Sequence, residues 1–487
     1  MTFVSELEPT PLWKHFDAIL ATPRPSKKEE AMRRYVLDLA RRKGFNVRED
    51  ATGNLVVEKP ASPGREGAPV VVLQGHLDMV TEKNAGVAHD FERDPIVPRR
   101  EDGWVKATDT TLGADNGIGV AAILAILEAD DLVHGPLELL FTVDEETGLT
   151  GVVDLDANAI ALRGRRLLNL DSEEEGAVTI GCAGGALTKM ILQAETATVP
   201  VGSEAIEVRL AGLKGGHSGM EIHLQRGNAV QLLARALHAA SLDGPVHLAS
   251  FQGGNKHNAL AREAMARVVL PAGGRAAFTA AMEREAAAIR DEFRAVEPDL
   301  RLEVSGGAAP EKVWSEAFGR KLLLLLTSLP HGVLAMSQDI PGLVETSVNL
   351  AAVSEDNGEV HVLLSVRSSV ASALLASRYR LRAFAEMAGA RVEENPGYPA
   401  WKPNVGSPLL GVFREVHKRV QGGDPELKAI HAGLECGVLG DKFPGMDMIS
   451  FGPVIEGAHS PDERVHVESV GRFYRLLTEL LEELARG

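Results

Sequence analysis

The chain has 487 residues, with 68 aspartates and glutamates against 51 lysines and arginines, and its formal net charge is −17. This length is about three times that of a common single domain, so we expect two or three structural units. The hydrophobic fraction of 45% and the charged fraction of 24% are typical of a folded protein. The negative charge argues against nucleic acid or an anionic membrane surface as the main partner.

Cysteine content and hydropathy predict where the protein works. The two cysteines, Cys182 and Cys436, are too few for a disulfide scaffold, which favours a cytoplasmic protein. The first 20 residues lack the basic start and apolar core of a secretory signal. The most apolar short run, Leu322–Leu326, is far below the ~20 residues that span a bilayer. We therefore expect no membrane partner.

Residues 1–185 alternate helix-like and strand-like segments. Apolar runs such as Val70–Leu73 are typical of strands buried on both faces. This alternation predicts an α/β sheet covered by helices. The predicted helices are Trp13–Leu20, Lys28–Lys43 and Asn116–Glu128, and the predicted strands are Asn54–Glu58, Val70–Gln74, Leu137–Val143 and Arg166–Leu170.

In residues 186–395 the pattern changes to helix, strand, strand, helix, strand, and this order occurs twice. Such recurrence indicates an internal duplication of an α+β unit. The first set is Leu224–Ser241, Val246–Gln252, Met265–Leu270, Arg275–Val296 and Leu300–Val304. The second set is Lys312–Leu329, Leu343–Val353, Glu359–Ser368, Ala371–Ala388 and Ala390–Glu393.

A proline-rich segment, Asn395–Pro403, predicts a domain junction. After it, a helix over Leu409–Val420 and a strand over Met446–Phe451 return to the α/β style. We therefore expect residues 1–185 and 396–487 to form one domain, into which residues 186–395 are inserted.

Acidic and histidine side chains follow the predicted buried strands at the points where these strands end. In an open α/β sheet, sites form just beyond the carboxyl ends of the strands. The residues at these points are His76 and Asp78, then Glu145 and Glu146, then Asp171, and finally His459, while Asp115 immediately precedes a predicted helix.

Histidine and carboxylate ligands together suit Zn²⁺, Mn²⁺ or Co²⁺. Two histidines and three acids exceed the needs of one tetrahedral catalytic metal. A site with two metals uses them all, because each metal takes one histidine, one terminal carboxylate and a share of a bridging carboxylate, with a water between the metals. The sequence therefore predicts two divalent metal ions, with zinc favoured.

Two pairs of neighbouring residues have further expected roles. On an extended strand His76 and Asp78 leave the same face, so Asp78 can accept the imidazole N–H and orient the ring. Glu145 and Glu146 point apart, so one can hold a metal while the other serves as general base. The acidic run Glu173–Glu175 is interpreted as solvated surface.

Nine segments along the chain resemble the dinuclear aminoacylase and carboxypeptidase-like metallopeptidase family, in particular its aminoacylhistidine (Xaa-His) dipeptidase branch, also called cytosol non-specific dipeptidase. The resemblance spans essentially the whole chain and implies a zinc-peptidase-like catalytic domain interrupted by a lid domain. The segments are GHLDMV, TLGADNGIG, DEETGLTG, LNLDSEEEG, GCAGG, LKGGHSGMEIHLQRGNA, GGNKHNALARE, HAGLECG and GAHSPDE.

The resemblance also implies roles for individual residues. His76 and Asp171 would bind one metal, Glu146 and His459 would bind the other, and Asp115 would bridge them. Glu145 would be the general base, Asp78 the orienting partner of His76, and a cis peptide bond would follow Asp115. The implied reaction is hydrolysis of Xaa-His and other dipeptides by a metal-activated water.

Four residues outside the metal ligands are candidates for contact with the peptide substrate. His217 resembles the family histidine that donates a hydrogen bond to the scissile carbonyl oxygen. Arg367 would suit a substrate carboxylate, and Asn258 is a further lid candidate. Glu435 would meet a substrate ammonium group or would pair with His431. His223 and Arg226 stay without a role.

Several alternatives stay open. The same metal core would serve a tripeptidase, a carboxypeptidase or an N-acyl amino acid deacylase. The sequence lacks the Gly-x-Ser-x-Gly motif of serine hydrolases and the phosphate-binding loop of nucleotide enzymes. A homodimer is also open; if the lid is duplicated, we expect His217 to act within its own chain.

Overall fold

The computed structural model describes residues 2–486 and divides into two compact units. The first unit contains Met1–Cys182, Trp401–Ala429 and Leu434–Gly487, and the second contains Ala183–Ala400 and Ile430–Gly433. The expected boundaries, after residue 185 and before residue 396, lie close to these positions. The sequence did not indicate that Ile430–Gly433 would join the second unit.

The first stretch of the chain alternates helices and strands. The predicted helices and strands are present there, shifted by a few residues at their ends. The helices are α1 Thr10–Leu20, α2 Glu30–Lys43, α3 Ala114–Glu128, α4 Thr150–Val153 and α5 Ala157–Ile160. The strands are β1 Asn46–Glu49, β2 Leu55–Lys59, β3 Val71–His76, β4 Pro98–Glu101, β5 Trp104–Ala107, β6 Leu137–Thr142, β7 Arg166–Asn169 and β8 Ala177–Cys182.

The second unit combines eleven strands and four helices within the described residues. The strands are β9 Gly184–Gln193, β10 Thr196–Thr198, β11 Glu204–Ala211, β12 His247–Gly253, β13 Ala264–Leu270, β14 Arg301–Gly306, β15 Lys312–Trp314, β16 Gly332–Met336, β17 Val344–Asp356, β18 Glu359–Ser368 and β19 Arg391–Glu394. The helices are α6 Ala229–Asp243, α7 Arg275–Phe293, α8 Glu316–Ser328 and α9 Ala371–Ala388.

Two predicted helices of this unit were too long at their amino-terminal ends. The helix expected from Leu224 begins at Ala229, because the Asn228 side chain accepts the Gln231 N–H and caps it. The helix expected from Lys312 begins only after Ser315, which caps α8 in the same way. The residues Lys312–Trp314 instead form β15, which pairs with β10.

The last stretch of the chain returns to the first unit. Helix α12, which the sequence pattern did not predict, packs a buried apolar face that includes Phe473, Leu477 and Leu480. The elements are α10 Pro408–Gln421, β20 Glu426–Ile430, α11 Glu435–Lys442, β21 Asp447–Ser450, β22 Ile455–Glu456, β23 Arg464–His466 and α12 Val467–Leu484.

The main sheet of the first unit has eight strands in the order β1-β2-β6-β3-β7-β21-β8-β20. The neighbours β6, β3, β7 and β21 are parallel to one another, whereas β1–β2 and β2–β6 are antiparallel. All six residues of β3 are buried, and α3 is buried along nearly its whole length. The predicted mixed α/β class is confirmed. None of the described helices has the length and apolar character to cross a membrane.

The main sheet of the second unit follows the order β14-β11-β13-β12-β17-β18-β9-β19. Each half of this sheet is built from one set of elements in the chain order strand-helix-strand-strand-helix-strand. Read from its outer edge inward, each half contains the fourth, first, third and second strands of its set. The first set is β11-α6-β12-β13-α7-β14, and the second is β9-α8-β17-β18-α9-β19. This shared order supports the duplication that the order of elements indicated. One hydrophobic core joins the sheet to all four helices.

Candidate metal centre

Four adjacent parallel strands direct the candidate ligands to one edge of the first unit's sheet. Strand β3 ends at His76, and β6 leads into the loop that carries Glu145 and Glu146. Strand β7 leads to Asp171, and β21 leads into the loop of His459. Because parallel neighbours have their carboxyl ends on the same side, the ligands meet there, as the sequence predicted.

Helix α3 supplies Asp115 at its first turn. The peptide bond between Asp115 and Asn116 is cis, as the family resemblance implied. The Asn116 side chain donates a hydrogen bond of 2.6 Å to the carbonyl oxygen of Leu170, next to Asp171. The start of α3 is thereby joined to the loop after β7.

The five candidate ligands form two groups that share Asp115. One oxygen of Asp115 lies 3.1 Å from His76 Nε2, and the other lies 3.2 Å from His459 Nε2. His76 Nε2 is also 3.3 Å from Asp171, and His459 Nε2 is 3.2 Å from Glu146. The structure therefore brings all five side chains together, with one carboxylate between two separate His-carboxylate pairs.

This donor set fits two divalent cations. Imidazole nitrogens and carboxylate oxygens are the ligands that Zn²⁺, Mn²⁺ and Co²⁺ accept. Glu146 Oε1 is buried and has no hydrogen-bond partner among the described residues, and Asp171 Oδ1, although it lies 3.3 Å from His76 Nε2, is not aligned for a hydrogen bond there. Buried acceptors that lack donors are costly, and a bound cation would satisfy both.

Electrostatics at this edge of the sheet also favour added positive charge. Burial raises the pKa of the Asp171 carboxyl to about 7, and burial together with Asp171 and Glu146 raises that of Glu145 well above its ordinary value. Hydrogen bonds to Asp115 and Glu146 raise the pKa of His459 to about 11. At this edge of the sheet the described carboxyl groups therefore outnumber the histidines that can balance their negative charge.

Asp78 holds more of the site than the sequence predicted. One of its oxygens lies 3.3 Å from His76 Nδ1, in keeping with the expected orienting role. The same carboxylate accepts the backbone N–H groups of Glu145 and Glu146 at 3.0 and 3.1 Å, and the Ser26 hydroxyl at 2.8 Å. Burial alone would raise the pKa of Asp78, but the neighbouring His76, followed by the Glu145 N–H and the Ser26 hydroxyl, lowers it to about 2. Asp78 thus fixes the loop of the candidate base and lies beside the His76 ring.

Glu435 lies in the first unit at the start of α11 and is almost fully buried. One of its oxygens accepts hydrogen bonds from Gln74 at 2.5 Å and from Thr142 at 2.9 Å, and the other is buried without a described partner. Burial raises its pKa to about 7. The alternative partner His431 is instead hydrogen-bonded to Ser347, at 2.7 Å.

The acidic run Glu173–Glu175 is only partly the solvated surface that was expected. Glu174 is exposed and pairs with Lys428, and Glu175 is half-buried and pairs with Arg472. Glu173 is exposed like Glu174, yet desolvation and the nearby Asp115 and Asp171 raise its pKa to about 8. Glu173 is one of three adjacent glutamates in the sequence, and nothing in the sequence distinguishes it from the other two.

His217 belongs to the second unit, in a loop between β11 and α6. Its Nδ1 accepts backbone N–H groups from Met220 at 3.0 Å and Gly219 at 3.3 Å. Burial and the nearby Arg367 lower the pKa of the His217 imidazole. The neutral ring therefore carries its proton on Nε2, which is free to donate.

The other lid candidates lie around the same loop. The Asn258 carbonyl oxygen accepts the Ser218 N–H at 2.8 Å, and its side chain is exposed. Arg367 is buried, and its guanidinium donates to the Tyr398 hydroxyl at 2.8 Å. Arg226 has a structural explanation, because it donates to the Gly215 carbonyl and pairs with Glu221. His223 is exposed on a single 3₁₀ turn.

Similarity to known proteins identifies the family of this chain. Residues 72–483 match Peptidase family M20/M25/M40. The chain belongs to this family. It is 42% identical, over 99% of both chains, to the cytosol non-specific dipeptidase of Escherichia coli (strain K12). The predicted family and the predicted peptidase class are confirmed.

Two solved structures share the fold of this chain. The aminoacylhistidine dipeptidase from Vibrio alginolyticus superposes with a TM-score of 0.92 at 42% identity, over 99% of this chain and 98% of the other. A tripeptidase from Staphylococcus aureus superposes with a TM-score of 0.57 at 16% identity, over 99% and 100% of the two chains. The second likeness supports the fold alone.

Proposed function

We propose that this M20-family enzyme hydrolyses dipeptides, including Xaa-His dipeptides, at a centre of two divalent metal ions. The observation that carries the proposal is the position of Asp115, which offers one oxygen to each of two His-carboxylate pairs. The substrate class is supported by the Escherichia coli and Vibrio alginolyticus relatives, which are named as dipeptidases. The name of the former also supports a cytoplasmic location.

The proposed ligand assignment follows the two groups of side chains. His76 and Asp171 hold one ion, Glu146 and His459 hold the other, and Asp115 is shared. Zinc is the proposed metal, with manganese and cobalt as alternatives. When bound, such ions supply a water of lowered pKa and positive charge that polarises the peptide carbonyl.

Glu145 is the proposed general base. It lies beside Glu146 and within the reach of His76, and burial raises its pKa, which makes its carboxylate a better proton acceptor than an exposed glutamate. In the proposed reaction its carboxylate removes a proton from the attacking water and later passes that proton to the leaving amine. Asp78 keeps the Glu145 backbone in place during both steps.

Contacts with the substrate are proposed for four further residues. The protonated Nε2 of His217 donates to the carbonyl oxygen as negative charge develops there. Arg367, with Asn258 beside the same loop, would bind the terminal carboxylate. The unpartnered oxygen of Glu435 suits the terminal ammonium group, and this contact would select free dipeptides over N-acyl amino acids.

The test is turnover with a panel of Xaa-His dipeptides, other dipeptides, tripeptides and N-acetyl amino acids, before and after chelation. We expect dipeptides to be hydrolysed, two metal ions per chain by elemental analysis, and loss and recovery of turnover on chelation and zinc addition. Preferential hydrolysis of tripeptides or N-acetyl amino acids would overturn the dipeptide assignment. Full turnover by metal-free protein would overturn the metal assignment.

A further inference from the structure

A buried carboxylate that has no place in the proposed chemistry holds the turn of Asp115. Glu463 is 2% exposed. Its Oε2 accepts the backbone N–H groups of Leu112 at 2.7 Å and Gly113 at 2.8 Å, and its Oε1 accepts those of Ala114 at 2.7 Å and Asp115 at 3.2 Å. Four consecutive backbone donors therefore converge on one side chain.

Glu463 also belongs to the loop that carries His459. It follows His459 by four residues, and its own backbone N–H donates to the Ser460 carbonyl oxygen at 3.0 Å. Ser460 in turn donates to the Gly457 carbonyl oxygen at 2.7 Å. One carboxylate thus joins the turn of Asp115 to the loop of His459.

A buried cation contacts the same turn on its carbonyl side. Arg24 is 2% exposed and donates to the carbonyl oxygens of Leu77, Asp78 and Gly113. It therefore joins the turn of Asp115 to the segment that follows His76. Gly113 has a left-handed φ of 71°, and a Cβ there would lie 2.6 Å from the Arg24 guanidinium, so the close approach requires glycine.

We propose that Glu463 and Arg24 are positioning residues that hold Asp115 between the two ligand groups. Glu463 fixes Asp115 relative to His459, and Arg24 fixes it relative to His76. This inference rests on the proposed function only where it concerns metal binding. The statement that these residues fix the turn rests on hydrogen bonds within the chain and does not depend on metal binding.

The chemistry of the turn explains why a carboxylate is needed. An ionised carboxylate accepts at both oxygens and donates nothing, so it satisfies four converging N–H groups. A glutamine keeps one acceptor oxygen and turns an NH₂ group toward the other two donors. Two of the four backbone N–H groups then lose their acceptor in a buried place.

The first test is hydrogen exchange on the metal-free protein. We expect Glu463→Gln to raise the exchange rate of the Leu112–Asp115 amides about tenfold or more, while distant parts of the first unit keep wild-type protection. Glu456→Gln is the matched control, because Glu456 is exposed at the end of β22, just before the same loop, and pairs with Arg464. Unchanged exchange at residues 112–115, or an equal rise throughout the unit, would overturn the proposal.

The second test is zinc affinity, measured by competition with a chelator. We expect Glu463→Gln and Arg24→Lys to weaken zinc binding by about 10–100-fold, the usual effect of residues that orient metal ligands. Glu463→Asp keeps the charge and shortens the side chain, so zinc binding should weaken there as well. Wild-type affinity in Glu463→Asp would show that charge alone matters and would overturn the positioning role.

The two tests separate this inference from the proposed function. If the wild-type chain bound no zinc pair or hydrolysed no dipeptide, the proposed function would fail, and the exchange comparison would still decide whether Glu463 holds the turn. If the zinc pair and the activity were present but the variants matched the wild type in both tests, only the positioning role would fail.

Discussion

Asp78 offers the sharpest test of the proposed site, through the substitution Asp78→Asn. The side chain is fully buried, and its two oxygens accept from the Glu145 and Glu146 backbone and from Ser26. Asparagine keeps one acceptor oxygen and places an NH₂ group at the other. At least one of the two backbone N–H groups then faces a donor instead of an acceptor.

The expected cost follows from these contacts. An unsatisfied buried donor costs about 1–3 kcal/mol, and a hydrogen bond to a charged acceptor is worth ~1 kcal/mol more than one to a neutral acceptor. We expect a total of about 2–4 kcal/mol, since one bond is lost and another weakened. If this free-energy cost is expressed as displacement of Glu145 in the transition state, kcat/KM falls by about 30–1000-fold.

The assay combines kcat/KM on an Xaa-His dipeptide with metal content and thermal unfolding. Asp17→Asn is the matched control, because Asp17 is also buried and accepts a backbone N–H, that of Thr2 at 2.9 Å, but lies in α1 and contacts none of the candidate ligands. The control should unfold at a lower temperature and keep its kcat/KM. A kcat/KM within about threefold of wild type in metal-loaded Asp78→Asn would refute the reasoning.

Three further predictions address the base, the shared ligand and pH. Glu145→Gln should keep both metals and lose about 10²–10⁴-fold in kcat, and full turnover in that variant would contradict the base assignment. Asp115→Ala should lose both metals together in elemental analysis, so retention of one ion per chain would argue against a bridge. Burial, with Arg367 nearby, lowers the pKa of His431 to about 3, so its contribution to folding is complete above pH 6.5 and is lost as the pH falls toward 3. Denaturant unfolding should therefore show a steeper loss of stability with acid in the wild type than in His431→Gln, by roughly 5 kcal/mol at most; parallel curves would show that His431 is not responsible.

The sequence was informative about the ligands because their placement has a simple physical cause. A buried parallel strand is a continuous apolar run, and the polar residue that ends it must lie at the edge of the sheet. His76, the pair Glu145–Glu146 and Asp171 could therefore be picked out as candidates from hydropathy and position, whereas the choice of Glu146 as a ligand depended on the family resemblance. Asp115 could be picked out at the start of a predicted helix, and His459 in the loop after one more predicted strand.

The residues that hold these ligands could not be predicted in the same way. Asp78 was expected beside His76, but its bonds to the Glu145–Glu146 backbone depend on how two separate loops approach each other. Arg24 and Glu463 act on backbone groups of the turn before α3, from positions far away in the chain. A backbone N–H or carbonyl has the same chemistry in every residue type, so such contacts leave no pattern in the sequence.

Element boundaries failed where capping residues were overlooked. Asn228 and Ser315 both accept backbone N–H groups at true helix starts, and each stands in the sequence before an apolar helical pattern. Strands β8 and β9 were missed because the glycines of GCAGG interrupt the apolar run between them. Glycine weakens the strand signal even where the sheet continues on both sides.

The strand order of the second unit has a consequence for how this unit folds. The first set, from β11 to β14, is continuous in the chain, so its pairings join segments at most about 100 residues apart, as in Ile206 with Gly306. Strand β9 is made before that set but pairs with β18 and β19, which come after it. Distant pairings form slowly because a long loop must close first. We therefore expect the first half-sheet to form early and to provide the edge on which the second half assembles. Strand β9 would stay unpaired until nearly the whole unit has been synthesised.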